Sequence, residues 1–194
     1  MYTIKTAGVE IDSNFTLIPQ LTFQYDTQKQ ALEHNIGVDL MYRPSADKLL
    51  SATVAPDFGT ADADELVANF SPIEVFFPEN RTFFTEYHSI FDVKDDSNQF
   101  VLVNTRRIGA VTDGNVRAPA ELEYAGKFVS VGNSLDTGLL YASEKDLGIA
   151  NGKSFLVARG KAHLEKGYVG TLLTLTDRPE IARKAYTAVV DINL

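Results

Sequence analysis

The chain has no cysteine. That single absence removes a disulfide framework, a thiolate metal site and a cysteine nucleophile together, and it leaves the redox compartment open. No apolar run reaches the roughly 18 residues that a transmembrane helix needs. A membrane crossing by alternating strands of about 9–11 residues stays open. The first residues, MYTIKTAGVEID, show no basic stretch followed by an apolar one, so no signal peptide is read there. The expectation is either a cytoplasmic protein or a piece of something longer. Positive charge is also scarce: 18 Lys and Arg face 26 Asp and Glu, for a net charge of −8. With a pI near 4.9 and no clustered basic face, nucleic acid is not an expected partner.

What remains is an ordinary folded composition. Hydrophobic residues make up 44% and charged residues 23% of 194, enough for one core and too few for two domains. The dominant pattern has period two. In FTLIPQLTFQY, Phe15, Leu17, Leu21, Phe23 and Tyr25 oppose Thr16, Gln20, Thr22 and Gln24. In EHNIGVDLMYR, Ile36, Val38, Leu40 and Tyr42 oppose Glu33, Asn35, Asp39 and Arg43. AELEYAGKF, SFLVARGKAHL and AYTAVVDINL alternate in the same way. In the second of these, Leu156, Ala158, Ala162 and Leu164 share one side, against Arg159, Lys161 and His163. Such alternation predicts strands with one apolar and one polar face.

Weaker strands are predicted at Tyr2–Ile11, Lys48–Ala55, Gln99–Arg107, Thr137–Ala142 and Gly167–Thr176, about ten strands in all. Turn chemistry separates them at Pro44–Asp47, Asp113–Asn115, Gly132–Ser134, Asn151–Lys153 and Glu165–Gly167. A helical turn is expected only at Glu180–Ala185, and a short helix at Ala61–Asn69. The class is all-β and antiparallel, in a single region spanning 1–194. Residues 56–98 interrupt it with acids, aromatics and prolines but no sustained period. Long irregular inserts of this kind are functional or specially packed.

Two architectures fit. A soluble β-sandwich buries its apolar face; a transmembrane barrel turns that face to lipid. Tyrosines near the ends of apolar faces (Tyr25, Tyr42, Tyr124, Tyr186), a small smooth face on Leu156–Leu164 and charged opposite faces favour the barrel.

A resemblance sharpens this. The stretch from TVAPDFGTADADELVANF through SPIEVFFPENRTFFTEYHSIFD, followed by NTRRIG, is similar to an ordered motif set. In that set, Asn-Pro-Asp-Phe leads to Val-Glu-Ala-Asp, then Phe-Phe-Pro-Glu-Lys-Arg-Pro-Phe-Phe-x-Glu, then Ser-Arg-Arg-Ile-Gly. The set marks a family of uncharacterised bacterial outer-membrane β-barrel proteins, domain of unknown function 5916. Pro56, Asp57, Phe58, Asp64, Glu74, Phe77, Pro78, Glu79, Arg81, Phe83, Phe84, Glu86, Arg106 and Arg107 fall on motif positions. Lys127, Gly138, Leu139, Arg159 and Asp191 sit where the family's strands continue. Ala55, Asp62, Asn80 and Thr82 depart from the pattern. The resemblance implies an outer-membrane location and the lipid bilayer as partner. It also implies a chain that represents the start of the barrel region, with 56–98 facing the lumen or periplasm. In that family a family-9 carbohydrate-binding-like domain usually precedes the barrel. Through it, carbohydrate becomes a partner of the longer protein.

The residues themselves assign no chemistry. Glu74, Glu79, Glu86 and the nearby aspartates could supply the paired carboxylates of a glycosidase, but nothing fixes their separation. Beside Arg81, Arg106 and Arg107, acids more commonly form buried ion pairs. Asp57, Asp62, Asp64 and Glu65 lack the spacing of an EF-hand, and His34, His88 and His163 lie in unrelated contexts. Catalytic, metal and cofactor assignments are therefore none. Phe76, Phe77, Phe83, Phe84, Tyr87 and Phe91 could stack on sugar rings, but Pro78 and the Glu79/Arg81 pair fit an internal plug better. The expected role is non-enzymatic: transport, anchoring or surface structure. A carbohydrate-processing or carbohydrate-binding protein is the first alternative, and a soluble β-sandwich binding protein the second.

Overall fold

The computed structural model describes residues 13–26, 30–56, 79–93, 101–110, 120–146 and 151–194. They form one eight-stranded antiparallel sheet in which every strand pairs with the next in sequence. The strands are β1 (Asn14–Asp26), β2 (Ala31–Ser45), β3 (Lys48–Val54), β4 (Leu122–Val131), β5 (Leu135–Glu144), β6 (Ser154–His163), β7 (Tyr168–Arg178) and β8 (Arg183–Asn193). Strands β1 and β8 are its two edges, so the sheet is open. Pro19, which lacks a backbone donor, falls in edge strand β1, where a ladder tolerates it.

Register carries the apolar alternation from strand to strand. Leu17 lies opposite Leu40, Leu40 opposite Ala52, and Ala52 opposite Gly126. The row continues through Tyr141, Leu156, Leu175 and Tyr186. A neighbouring row runs through Phe128, Leu139, Ala158, Leu173 and Ala188. One face of the sheet is thus apolar from edge to edge, and it is exposed: Ile36 at 68%, Leu173 at 51% and Val190 at 69%. We call it the outer face. Arg159, Lys161 and His163 lie on the opposite, inner face, as their alternation with Ala158 and Ala162 predicts.

The core forms on the inner face of β3–β6, with Leu172 of β7 joining it. Leu49, Val129, Leu140, Ala142 and Leu172 are buried there against Phe84, Ile90, Phe91, Val103 and Ile108. Those five belong to the connection between β3 and β4, which contributes a one-turn helix α1 (Thr82–Thr85) and two 3₁₀ turns, His88–Ile90 and Thr105–Arg107. Gly138 makes the fit between sheet and connection. A side chain there would meet the Phe91 ring at 2.8 Å, so only a bare α-carbon lets that ring lie on β5.

Several expectations need correcting. Gln99–Arg107 is not a strand over its described part: 101–104 is irregular and Thr105–Arg107 is a 3₁₀ turn. The Thr105 carbonyl, and that of Ile108 just beyond, accept from Arg81 and not from a neighbouring strand. The helical turn near Glu180 is confined to Pro179–Ile181, and Arg183 already begins β8. Eight strands, not ten, occur among the described residues. Tyr2–Ile11, Ala61–Asn69 and the Asp113–Asn115 turn lie outside them.

Candidate functional site

The motif residues converge on the inner face, in the 79–93 and 101–110 segments. Glu79 and Arg81 are two residues apart, with Arg81 extended just ahead of α1 (φ −72°, ψ 118°). The Arg81 guanidinium meets the Glu79 carboxylate side-on: Nε donates to Oε1 at 2.8 Å and Nη2 to Oε2 at 2.7 Å. This two-pronged geometry matches the planar fork to the carboxylate. The Arg81 backbone N–H also donates to Oε1, at 3.0 Å. Nη1 and Nη2 donate onward to the carbonyls of Ile108 and Thr105, each at 2.8 Å. The Thr105 hydroxyl donates to Glu79 Oε2 at 2.7 Å. Arg81 therefore ties the two segments together through their backbones.

The surroundings are dry. The Arg81 side chain is 5% exposed and that of Glu79 9%. The Phe84 ring lies beneath the guanidinium, 4.4 Å from its carbon, and Phe83 meets Phe84 edge-on at 5.0 Å. Burial alone would push the Glu79 carboxyl up. The hydrogen bonds from Arg81 and Thr105, with the Arg81 charge, outweigh it and hold the carboxyl below its ordinary value.

Three further charges fasten this segment to the sheet. Lys127, on the inner face of β4, donates to the carbonyls of Phe83 and Glu86, the second at 2.7 Å, and so closes the open end of α1. Arg43 of β2 pairs with the Glu86 carboxylate at 2.8 Å. Arg159 of β6 donates to the Ile90 carbonyl at 3.3 Å and, through both terminal nitrogens, to Asp191 of β8 at 2.5 and 2.7 Å. To reach Asp191 it passes over Gly170 of β7, where a side chain would meet its guanidinium at 2.6 Å. At the other end of the strands, Asp136 accepts from Lys161 at 3.2 Å and from His163 at 2.9 Å.

Of the motif residues, Glu79, Arg81, Phe83, Phe84 and Glu86 are brought together, and Pro56 is buried just past β3. Arg106 and Arg107 stand in the Thr105–Arg107 turn, whose backbone Arg81 grips, while the Glu79 carboxylate goes to Arg81 and Thr105. Asp57, Phe58, Asp64, Glu74, Phe77 and Pro78 lie outside the described residues, as do Asp62, Glu65 and Phe76. Thr105 and Glu144, which accepts from the Gly109 N–H at 2.8 Å, went unread in the sequence. Glu144 ends β5 on the inner side, a signal that alternation alone does carry. Thr105 carries none.

The arrangement defines an all-β protein whose irregular connection is clamped to one face of its sheet. Residues 14–140 match the family model described as "Domain of unknown function (DUF5916)", and the chain belongs to that family. No curated protein and no solved structure matches it.

Proposed function

We propose that this chain is a section of the wall of an outer-membrane β-barrel, with its outer face against lipid and the 79–93 and 101–110 segments packed inside. Its role is then transport, anchoring or surface structure and not chemistry. One observation carries the reading: large apolar side chains are exposed on the outer face of β1–β5, β7 and β8, while Arg159, Lys127 and Asp136 are buried on the other side. A protein that meets water with its outer surface has the reverse arrangement. An exposed apolar area continuous over a whole sheet is a surface made for a partner.

The dimensions agree. Strands β4, β5 and β6 have ten residues each. At about 3.3 Å per residue and a tilt near 40°, ten residues rise about 25 Å, the height of the apolar band of such barrels. Among the described residues no helix is long and apolar enough to cross a membrane.

Ala158 lies in the middle of β6 on the outer face, beside Leu139 and Leu173. Replacing it by arginine should cost about 2–4 kcal/mol of unfolding free energy in a bilayer or micelle. Equal stability of Ala158→Arg and parent, both folded and membrane-inserted, would overturn the proposal. So would a monodisperse parent chain that melts cooperatively in plain buffer without detergent.

A further inference from the structure

A cavity of about 270 Å³ lies between the 101–110 segment and strands β5–β7. Its floor is apolar on two strands and hydroxylated on the third. Leu140 of β5 lies opposite Val157 of β6, and Val157 opposite Thr174 of β7. In the next row Phe155 lies opposite Thr176. Above this floor the connection sets Leu102, Val103 and Ile108. No aspartate or glutamate lines the cavity among the described residues. The basic residues that reach it are already engaged. Lys153 meets the Glu144 carboxylate at 3.5 Å and the Ala110 carbonyl at 3.4 Å, and Arg107 and Arg178 have partners of their own.

We infer that this cavity binds a small uncharged molecule, one ring bearing a hydroxyl or carbonyl group. The ring would lie on Leu140, Phe155 and Val157, with the polar atom at Thr174 and Thr176. The lining decides the charge of the ligand. A cation would find no acid to meet it, and an anion would have to draw a base away from the partner it holds. Either loses hydration without gaining a matched pair. An uncharged molecule avoids both penalties. A threonine hydroxyl both donates and accepts, so it serves a ligand alcohol and a ligand carbonyl equally. An apolar lining with a few polar groups at one side is the ordinary make-up of a small-molecule site. The volume lies just under the about 300 Å³ at which such sites commonly begin, which suits a single ring with a short polar arm. Because the floor belongs to the inner face, this site does not depend on what covers the outer one.

The test titrates the full chain in detergent with benzyl alcohol, benzoate and benzylammonium, three probes of one shape that differ in charge. The readout is the methyl NMR signals of Leu140 and Val157 in the floor. Leu50, exposed on the outer face, reports partition of a probe into the micelle. Benzyl alcohol should shift Leu140 and Val157 saturably, equally at low and high sodium chloride, and Leu50 without saturation. The two charged probes should bind at least about tenfold more weakly. Thr174→Val combined with Thr176→Val keeps the side-chain shape, removes both hydroxyls and should weaken benzyl alcohol about fivefold. Thr16→Val, on the inner face of β1, should leave it unchanged. No saturable shift at Leu140 and Val157 overturns the inference, since the cavity then holds water only. A charged probe that binds as tightly as the alcohol overturns it too, as does a folded double variant with unaltered affinity. If that variant misfolds, the three probes on the parent chain still decide.

Discussion

The middle of the sheet and its flanks are built from the same alternating strands, yet they differ on one face. On β3–β6 the inner face is dry: Leu49, Thr53, Val129 and Ala142 have essentially no exposure beneath the 79–93 and 101–110 segments. On the edge strands β1 and β8 it is more open. Ile18 of β1 is 48% exposed on the inner face although Phe15 already occupies the outer one at 64%. Strand β8 has only Val189 and Asp191 partly covered. The outer face shows no such division, since Leu50 in the middle and Leu173 near the edge are equally exposed. The connection, and not the sheet, therefore makes the core.

The comparison can be broken first at Arg81. Arg81→Ala strands the buried Glu79 carboxylate and frees the Thr105 and Ile108 carbonyls, which should cost about 3–5 kcal/mol in a denaturant titration of the folded protein. The protection of β3–β6 amides against hydrogen exchange should fall further than that of β1 and β8. A melt equal to the parent's would mean that the connection does not hold the core.

Next comes Gly138. Gly138→Ala drives a methyl into the Phe91 ring and should cost about 1–3 kcal/mol. Gly126→Ala, with nothing within 4 Å of the added carbon, provides the matched control and should change little. Equal effects of the two would show that the connection does not rest on β5 as described.

Acid should act in the same direction. Because Glu79 is held below its ordinary value in the folded chain, its contribution is complete above the ordinary glutamate range, about pH 4.3, and is lost as pH falls through the folded value. Melting midpoints should fall below pH 4 in the parent, and that decline should be shallower in Glu79→Gln. Parallel curves would contradict the assignment. The smallest effect is expected at Lys145, whose pair with Glu121 is exposed on both sides. Lys145→Ala should move stability by no more than about 0.5 kcal/mol.

The strands were legible because one face had to be apolar throughout, and period two records that directly: Leu156 to Ala162 and Phe15 to Tyr25 land where alternation puts them. The Glu79–Arg81 pair was legible for a different reason, since an acid and a base set among aromatics must satisfy one another. What could not be read was the backbone half of the site. Arg81 binds the carbonyls of Thr105 and Ile108, and Lys127 those of Phe83 and Glu86; carbonyls have no residue identity to betray them. Gln99–Arg107 reads as a strand for the same reason. Its composition allows one, and only its partners forbid it.

Because each strand pairs with its sequence neighbour, β1–β3 can zip together from short turns, and so can β4–β8. The seam between Val54 and Leu122 is different, for the chain must close the whole of residues 55–121 before β3 and β4 can meet. Closure entropy grows slowly, about 0.6 kcal/mol for each doubling of loop length, but it is spent before any β3–β4 pairing is gained. The Arg81 ties to Thr105 and Ile108 divide that long loop into shorter ones. A connection set early would act as a splint, bringing the β1–β3 and β4–β8 halves into register; left unset, it would leave the β3–β4 seam to close across the whole of 55–121.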